Sequence, residues 1–397
     1  MVRVFIVCSA YIIGSMLDEN AKALVTSLFR GYYEHIEIGD RHVGEREFGF
    51  GDFEKKISFR HYSFGSTAAL KKYIVENVPA FISYSPAFYK MPSARPMERK
   101  GWIGAELVFD LDAGDLHLDC QKQHSKAWVC SNCLEKVKLE TLKLVEDFLI
   151  PDFGFSAKEI SVNFSGNRGY HVHVNSDSVY QLRSKEREAI TDYISGKKVN
   201  PNWFFPSIGK RTARLFGPKP SDFGWGGRFA GAVIKGINGG AESLILMGID
   251  KKAAKNLEAK KADVVFGISN GNWDKVAIPK KDEFWKDAIS RIAPSLGCAV
   301  DKNVTNDIHH LIRMPETLHG DTGLAGKIIN SVSVLQKFDP MEDAIVFNRG
   351  ELTVEADLPY KFRMGGREYG PYDKQKVELP LNAAVYLILK RVAKIAT

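Results

Sequence analysis

ELVFDLD, residues 106–112, is the part of the sequence that says most about the fold. Its residues alternate as a β-strand requires, because successive side chains of a strand point to opposite faces of the sheet. Asp110 and Asp112 therefore share one face, and the leucine and phenylalanine side chains share the other. The stretch predicts a strand that carries two carboxylates side by side.

Two neighbouring carboxylates repel each other unless a proton or a cation lies between them. Mg²⁺ meets that need, because it binds a few carboxylate oxygens and keeps positions for phosphate and water. The D-x-D pattern of Asp110 and Asp112 is also typical of two exposed acids at the end of a strand. The pattern alone leaves both interpretations open.

A second motif, SGNRGYH at residues 165–171, lies between two predicted strands over 160–164 and 170–175. Glycines in such a turn let backbone N–H groups approach an anion. The side chains that offer donors to a triphosphate are Ser165, Arg168 and His171. An ordinary hairpin with an exposed arginine is the alternative, and His173 fits a buried histidine as well as a ligand.

A third cluster is DKNVTNDIHHLIRMPETLHGDTG, residues 301–323. Pro315 and Gly320 interrupt it, so its side chains are expected to come from turns. Its acidic, imidazole and guanidinium residues are Asp301, Asp307, His309, His310, Arg313 and His319. A separate metal site at the histidines is disfavoured, because the segment has no H-x-x-x-H pattern with a carboxylate partner on a helix.

The fourth motif has the spacing C-x3-H-x5-C-x2-C, formed by Cys120, His124, Cys130 and Cys133. Four such ligands within a short segment meet the closed tetrahedral demand of structural Zn²⁺. His117 and Asp119 are rival ligands, although the spacing to the later cysteines favours the histidine at 124. Cys8 and Cys298 are expected to be buried thiols.

Composition limits the class of protein. The 397 residues are 44% hydrophobic, which is enough apolar surface for a full core. The 55 Lys and Arg exceed the 48 Asp and Glu by seven, which favours a polyanionic partner such as nucleic acid or nucleotides. Three of the five cysteines lie between 120 and 133, which indicates metal ligation in a reducing compartment rather than disulfides.

The first residues are apolar over 2–13, but this segment is too short to span a bilayer and no cleavage site follows it. A buried strand is expected there, and no membrane association. Met16 is an alternative start, because an acidic first turn and helical periodicity follow it.

Hydrophobic periodicity predicts the remaining elements. Helices are expected over 17–34, 135–150, 250–262 and 381–396, and strands over 45–50 and 56–64. Residues 176–295 change character, with helical patterns and a Gly-rich basic stretch, and they predict an inserted subdomain.

These motifs, in this order, resemble the small subunit of archaeal and eukaryotic DNA primases: FDLDAGD, the zinc knuckle, SGNRGYHVHV and DKNVTNDIHHLIRMPETLHG. REFGF at 46–50 and LQKFDP at 335–340 are similar to further segments of that family. The similarity covers most of the chain outside 176–295. No single motif is decisive, whereas the ordered set is specific.

The resemblance implies an α/β (α+β) fold with a two-sheet primase catalytic core. The core would comprise residues 1–175 and 296–397, with a zinc-binding knuckle at 117–134 inside it. An inserted, mostly helical subdomain would occupy 176–295.

The resemblance also implies the site residues. In that family two aspartates, matching Asp110 and Asp112, join a third to hold two divalent metals, Mg²⁺ or Mn²⁺. Asp301 matches the third by its spacing to the following arginine and histidine, and Asp307 is its competitor. The residues that would hold the phosphates of the nucleotide are Ser165, Arg168, His171, Arg313 and His319.

The chain departs from the family pattern near the last of these residues. Asp321 follows the His-Gly pair, where the family often has Lys or a small polar residue, and Thr317 occupies a position where Ser is common. Asp321 would repel a triphosphate unless it points away or pairs with a basic neighbour.

The function that the resemblance implies is primer synthesis: nucleotidyl transfer from NTPs on a single-stranded DNA template, with release of pyrophosphate. The implied partners are a primase large subunit in a heterodimer, the DNA template, NTPs or dNTPs, and a replicative polymerase or replisome. The expected location is intracellular, in the cytoplasm of an archaeal-type cell, at replication sites. Arg46 and Arg60 are candidates for cradling an initiating triphosphate. The alternatives are a repair-type primase-polymerase and a catalytically inactive, zinc-stabilised nucleic-acid-binding subunit.

Overall fold

The structure, a computed structural model, describes residues 16–39, 42–125, 127–205, 214–275 and 278–396. The predicted N-terminal strand and Cys8 lie outside these residues. The chain forms two compact units. The first unit comprises the described residues up to 141 together with those of 158–182 and from 307 onward, and the second comprises 142–157 and 183–306.

Every named strand of the described residues belongs to the first unit. In chain order they are β1 (Phe48–Gly51), β2 (Phe59–Tyr62), β3 (Phe81–Tyr84), β4 (Ala87–Tyr89), β5 (Trp102–Ala105), β6 (Leu107–Asp112), β7 (Ile160–Phe164), β8 (Gly169–Val174), β9 (Ile312–Arg313), β10 (Ile328–Ile329), β11 (Glu351–Leu358), β12 (Phe362–Met364), β13 (Arg367–Tyr369), β14 (Tyr372–Pro380) and β15 (Ala393–Ile395).

These strands form several antiparallel sheets. The first sheet has the order β2-β1-β3-β9, the second β10-β7-β8-β6 and the third β14-β11-β15. Two-stranded ladders join β4 to β5 and β12 to β13. The fold class is therefore mixed α/β with antiparallel pairing.

Helices accompany the sheets in the first unit. They are Glu19–Glu34, Thr67–Asn77, Ser131–Lys143, Asp177–Tyr180, Val332–Lys337, Pro340–Asp343 and Leu381–Leu389, with short 3-10 turns at Val43–Glu45, Met97–Lys100, Ala113–Leu116 and Asp119–Lys122.

In its described residues the second unit contains helices and no named strand. They are a π-helix at Leu144–Leu149, the α-helices Ser184–Ser195, Gly224–Asn238, Ala241–Leu246, Lys251–Ala259, Lys261–Ser269, Lys281–Leu296 and Lys302–Asn306, and a 3-10 turn at Pro201–Trp203. None of the helices described in either unit combines the length and the apolar character that crossing a membrane requires.

The first helix illustrates how local sequence sets an element. The Asp18 side chain caps it by accepting a hydrogen bond from the N–H of Ala21 at 2.8 Å. Val25 and Phe29 follow at intervals of four, so that one stripe of the helix is fully buried. The helix Glu19–Glu34 confirms the prediction for 17–34.

The second sheet carries the motifs that the sequence singled out. In the register between β6 and β8, Asp110 lies opposite His171 and Asp112 lies opposite Gly169. A Cβ atom at Gly169 would lie 2.1 Å from the carbonyl oxygen of Leu111, so only glycine allows the two strands to approach here. The strands predicted over 106–112, 160–164 and 170–175 are confirmed.

The C-terminal prediction is wrong in part. The helix expected over 381–396 ends at Leu389, and Ala393–Ile395 forms β15 beside β11. Arg391 has φ 60°, outside the helical region, and so ends the helical path. The residues after it gain ladder hydrogen bonds to β11, which local periodicity cannot reveal.

Candidate functional site

The acidic pair lies at the end of β6, and both carboxylates are about one quarter exposed. Asp112 accepts a hydrogen bond of 2.9 Å from Nε of Arg168 and one of 2.6 Å from the N–H of Gly114. Oδ1 of Asp110 lies 3.7 Å from Nε2 of His171. A carboxylate has about four lone-pair sites, so Asp112 keeps capacity for a further cation while it holds the arginine.

The turn between β7 and β8 is organised by Ser165. Its hydroxyl accepts hydrogen bonds from the N–H groups of Asn167 and Gly169 at 3.4 and 3.3 Å. The carbonyl of Arg168 accepts the N–H of Ala113 at 3.0 Å, which fixes the turn against the end of β6. The predicted residues Ser165 and Arg168 are thus placed beside the acidic pair.

A second turn, residues 319–324, packs directly on the first. Thr322 donates its hydroxyl to the carbonyl of Gly166 at 2.5 Å. Gly166 has φ 82°, and a Cβ atom there would lie 2.9 Å from Cβ of His319. Both the backbone conformation and the close approach therefore require glycine at this position. Sequence spacing did not predict this contact. It brings His319 next to the turn that carries Arg168.

Arg313 completes the basic side of the site. It lies on β9, its guanidinium is 5.2 Å from the centre of the Phe81 ring, and its Nη1 is buried without an acceptor among the described residues. Burial lowers the pKa of Arg313 to about 10, which still leaves it charged at neutral pH. A buried donor without a partner costs free energy, so an anionic ligand would stabilise this arrangement.

His171 and His319, the two histidines predicted to bind phosphate, are neutral. Burial, assisted by the positive charge of Arg313, holds the pKa of both His171 and His319 well below the usual range. Nδ1 of His319 accepts the N–H of Asp321 at 3.1 Å, which assigns the ring proton to Nε2. His319 can therefore donate one hydrogen bond to an anion without being charged.

Asp321, the departure from the family pattern, is surrounded by cations. Its carboxylate raises the pKa of Arg313, Lys390 and Arg391, in each case against the lowering effect of burial. These basic neighbours answer the concern about repulsion, because they offset the charge of Asp321.

Lys390 is a site residue that sequence reasoning missed. It follows the last helix, is 7% exposed, and donates hydrogen bonds to the Asn167 side chain and the Ala127 carbonyl. The signal available was one lysine at the end of an almost wholly apolar helix. That pattern is far more often a cation that favours the helix C-terminus, and so it did not single out the residue.

The proposed zinc ligands lie together. Cys120, His124, Cys130 and Cys133 offer ligand atoms within 4.8 Å of one another, with sulfur–sulfur distances of 3.4 and 3.6 Å to Cys133. Two ligands of a tetrahedral zinc are about 3.8 Å apart when each metal bond is about 2.3 Å. The four residues could therefore hold a metal ion.

The remaining contacts support the same ligand set. Nδ1 of His124 donates to the carbonyl of Ser125 at 3.0 Å, which leaves Nε2, 3.5 Å from the Cys133 sulfur, as the ligand atom. The rivals His117 and Asp119 are not part of the cluster found among the described residues, and Asp119 pairs instead with a neighbouring lysine.

The two candidates for the third acid have different surroundings. Asp301 belongs to the second unit, where its carboxylate accepts the N–H of Asn303 at 2.8 Å at the start of the helix Lys302–Asn306. Asp307 belongs to the first unit and accepts the N–H of His309 at 2.9 Å. The third acid stays a prediction.

A separate ionic network surrounds Glu106, the first residue of the ELVFDLD stretch. Arg46 is 1% exposed, pairs with Glu106 and donates to the Ser85 carbonyl at 2.6 Å. Glu106 also accepts from Nδ1 of His173 at 2.9 Å. Arg46 is thus a buried structural cation, whereas the other candidate, Arg60, is partly exposed and pairs with Glu47 at 2.8 Å.

The arrangement as a whole places a partly exposed acidic pair beside buried cations, so that it could bind divalent metals and an anion. These features define a candidate site for a phosphate-bearing ligand in a mixed α/β unit. Comparison with known proteins makes the class specific.

A family model described as DNA primase small subunit matches residues 109–331. The chain is 35% identical to the DNA primase small subunit PriS of Methanothrix thermoacetophila, over 96% of this chain and 100% of that protein. It is 35% identical to the protein of the same name from Methanococcoides burtonii, over 95% and 99%, and 28% identical to that of Nitrosopumilus maritimus, over 96% and 100%. The chain belongs to the DNA primase small-subunit family.

Proposed function

We propose that this chain is the catalytic subunit of a DNA primase and synthesises primers on single-stranded DNA. The reaction is nucleotidyl transfer from NTPs with release of pyrophosphate, as in a DNA-directed RNA polymerase. The observation that carries the proposal is the contact between two elements: the acidic end of β6 and the turn that presents Arg168. An acidic pair and an anion-binding turn in contact provide what phosphoryl transfer requires.

Asp110 and Asp112 would hold divalent metals, and Asp301 would supply the third carboxylate. The donor set fits Mg²⁺ or Mn²⁺, because both strand acids are partly exposed oxygen ligands. Bound there, the metals would make the attacking 3′-hydroxyl a better nucleophile and neutralise charge on the phosphates. The protein's own task is to hold the reacting groups in line.

The nucleotide's phosphates would lie against the basic side of the site. Arg313 and Arg168 supply guanidinium groups, and His319 supplies a neutral N–H donor. Ser165 shapes the turn through its two backbone contacts, and His171 lies opposite Asp110 in the sheet. The buried donors Arg313 and His319 exclude water and need not reorganise when charge develops on the phosphates.

Sequence information would come from base pairing with the template. The protein then needs only a positive groove that tolerates any base, which agrees with an excess of seven basic residues. The small-subunit names of the relatives support a large subunit as partner. We propose a replicative polymerase or replisome as a further partner. We place the protein inside the cell at replication sites.

The finer architecture belongs to the same proposal. The first and second sheets would form the two-sheet catalytic core, because Tyr84 of β3 stacks on His173 of β8 with 6.3 Å between ring centres. The helical insertion expected at 176–295 would correspond to the second unit, which also includes 142–157 and 296–306.

Zn²⁺ would occupy the four-ligand cluster and stabilise the segment 117–134. Metal analysis tests this: Cys130→Ser and Cys133→Ser should each lose about one zinc ion per chain. Cys298→Ser is the matched control, since Cys298 is buried outside the cluster. Full retention of zinc in the first two variants would show that other residues bind it.

A primer-synthesis assay on a single-stranded template tests the catalytic proposal. Asp110→Ala and Asp301→Ala should each abolish nucleotide incorporation, and Asp263→Ala, at an exposed helix position, should not. Circular dichroism confirms that each variant is folded. Wild-type turnover in either of the first two variants would contradict the three-acid assignment, and loss of activity in Asp307→Ala alone would transfer the role to Asp307.

The same assay separates the alternatives. Extension of a gapped duplex without initiation on a bare template would favour a repair-type primase-polymerase. A wild-type protein that binds template but incorporates no nucleotide would indicate a nucleic-acid-binding subunit without catalysis.

A further inference from the structure

Lys390 is a buried cation that the proposed mechanism does not use. It follows the helix Leu381–Leu389 and is 7% exposed, with Nζ 5.6 Å from the centre of the Tyr386 ring. Burying an ammonium group is costly unless it is paired and hydrogen-bonded. An apolar residue would fill this position more cheaply, so the contacts of the ammonium explain the lysine.

Two of those contacts join separate parts of the first unit. Nζ donates to Oδ1 of Asn167 at 2.9 Å and to the carbonyl of Ala127 at 3.1 Å. Asn167 belongs to the turn between β7 and β8, and Ala127 lies between the cluster residues His124 and Cys130. A single ammonium group therefore links the turn between β7 and β8 to the loop between His124 and Cys130.

The contact with Asn167 acts on the middle of the turn. The backbone N–H of Asn167 donates to the Ser165 hydroxyl, and the next residue, Arg168, pairs with Asp112. With its side chain held, Asn167 cannot rotate without breaking the hydrogen bond to Lys390. The turn is then limited to the conformation that directs Arg168 toward the acidic pair.

Electrostatics agrees with a position inside the site. Burial lowers the pKa of Lys390 to about 8, with Asp321 and Asp112 opposing the effect and Arg168 and Lys56 adding to it. Asp112, Arg168 and Asp321 belong to the candidate site, and Lys56 lies at its edge.

We propose that Lys390 is a positioning residue of the nucleotide site, which holds Asn167 against the Ala127 backbone and so fixes the turn that presents Ser165 and Arg168. The inference rests on the proposed function for its consequence, namely that a loose turn binds nucleoside triphosphate less tightly. Lys390 acts through Asn167 and need not contact the nucleotide.

Binding of a fluorescent ATP analogue, mant-ATP, to the full chain with Mg²⁺ tests the inference. Lys390→Met removes the ammonium and keeps the length of the side chain, Lys390→Arg restores a cationic donor, and Asn167→Ala removes the acceptor. Lys394→Met, at an exposed position on β15, is the matched control. Primer extension, zinc content and thermal unfolding are measured on the same proteins.

We expect Lys390→Met and Asn167→Ala each to raise the Kd for mant-ATP about tenfold, because each removes the same charge-assisted hydrogen bond. The double variant should bind no more weakly than the weaker single variant, since the two residues act through one contact. KM for nucleotide should rise with little change in kcat, Lys390→Arg should recover part of the affinity, and Lys394→Met should match the wild type.

Additive effects, or an unchanged Kd in Asn167→Ala, would overturn the inference, because Lys390 would then act through its own charge. Should Lys390→Met fail to fold, Asn167→Ala decides the matter by the same measurement. A wild-type protein that binds mant-ATP but makes no primer would remove the proposed function and leave this test valid. If the wild type makes primers and both Lys390→Met and Asn167→Ala bind mant-ATP as tightly as it does, the role of Lys390 is wrong and the proposed function stands.

Discussion

The two ends of β6 hold acids in opposite surroundings. Glu106, directly before the strand, is buried between Arg46 and His173, and the two partners hold its pKa at about 2 although burial alone would raise it. Asp112, at the other end, pairs with an arginine while both side chains remain about 30% exposed. One strand thus begins in a closed ionic network and ends in an open one.

The difference lies in what balances the charge. At the buried end the protein supplies both signs, because Glu106 pairs with Arg46 and accepts a hydrogen bond from Nδ1 of His173. At the open end, buried cations such as Arg313 and Lys390 lie near acids that are themselves partly exposed. Nη1 of Arg313 has no acceptor among the described residues. We infer that the first network stabilises the fold and the second is balanced by ligands.

The largest effect is expected at the open end. Asp112→Asn removes one charge of the proposed metal site and should lower kcat/KM for primer extension by about 10³-fold or more, equivalent to about 4 kcal/mol of transition-state stabilisation. Thermal unfolding should change little, because the side chain is partly exposed.

Steady-state extension assays and calorimetry on the same preparation check this result. Glu355→Gln, at an exposed position on β11, is a matched control for loss of one carboxylate charge. Near-normal turnover in Asp112→Asn would place the metal ligands elsewhere.

The opposite outcome is expected at the closed end. Glu106→Gln leaves Arg46 buried without its counter-ion, and we expect the free energy of unfolding to fall by about 3 to 5 kcal/mol. Denaturant titration measures it. Equal stability of Glu106→Gln and the wild type would show that the network does not stabilise the fold, and the contrast between the two ends would be lost.

The same network predicts a pH dependence. The folded-state pKa of Glu106 is depressed from 4.5 to about 2, so its stabilisation is present above pH 4.5 and is lost as pH falls toward 2. The stability difference between wild type and Glu106→Gln should therefore narrow by about 2 kcal/mol between pH 6 and pH 3. Parallel denaturant titrations at the two pH values are required, and a constant difference would contradict the assignment.

Features at both ends of β6 differ in whether the sequence alone could predict them. The alternation in ELVFDLD predicted the strand and the shared face of Asp110 and Asp112, because both follow from backbone geometry. The clustering of Cys120, His124, Cys130 and Cys133 was predictable because the four residues are local in sequence, so that their spacing limits their geometry.

Contacts between distant segments were not predictable in this way. Lys390 lies more than 220 positions from Asn167, and no periodicity signals such a contact. Arg46 was a candidate for cradling an initiating triphosphate, and only the packing that buries it beside Glu106 reveals its structural role. The end of the last helix was misplaced for the same reason, because β15 is stabilised by a partner strand elsewhere in the chain.

A smaller effect is expected where the two turns of the open end meet. Gly166→Ala introduces a Cβ that would lie 2.9 Å from Cβ of His319 at a backbone φ of 82°. The strain should lower the free energy of unfolding by about 1 to 3 kcal/mol and weaken nucleotide binding, because the turns must separate. Gly154→Ala is the control, since it also has positive φ but no atom within 4 Å of the added Cβ. Equal nucleotide affinity in both variants would show that the contact between the turns is not required for binding.

The smallest change in stability is expected for Arg168→Gln, and it provides the sharpest comparison of the two ends. Its ion pair with Asp112 is as short, at 2.9 Å, as an ordinary strong hydrogen bond, yet partial exposure screens it. The free energy of unfolding should therefore fall by less than about 1 kcal/mol. The KM for nucleotide should nevertheless rise about tenfold, since the guanidinium is proposed to hold phosphate as well as Asp112. A large loss of stability with unchanged KM would make this pair a structural bridge like the one at Glu106, and the open end of the strand would then have no distinct role.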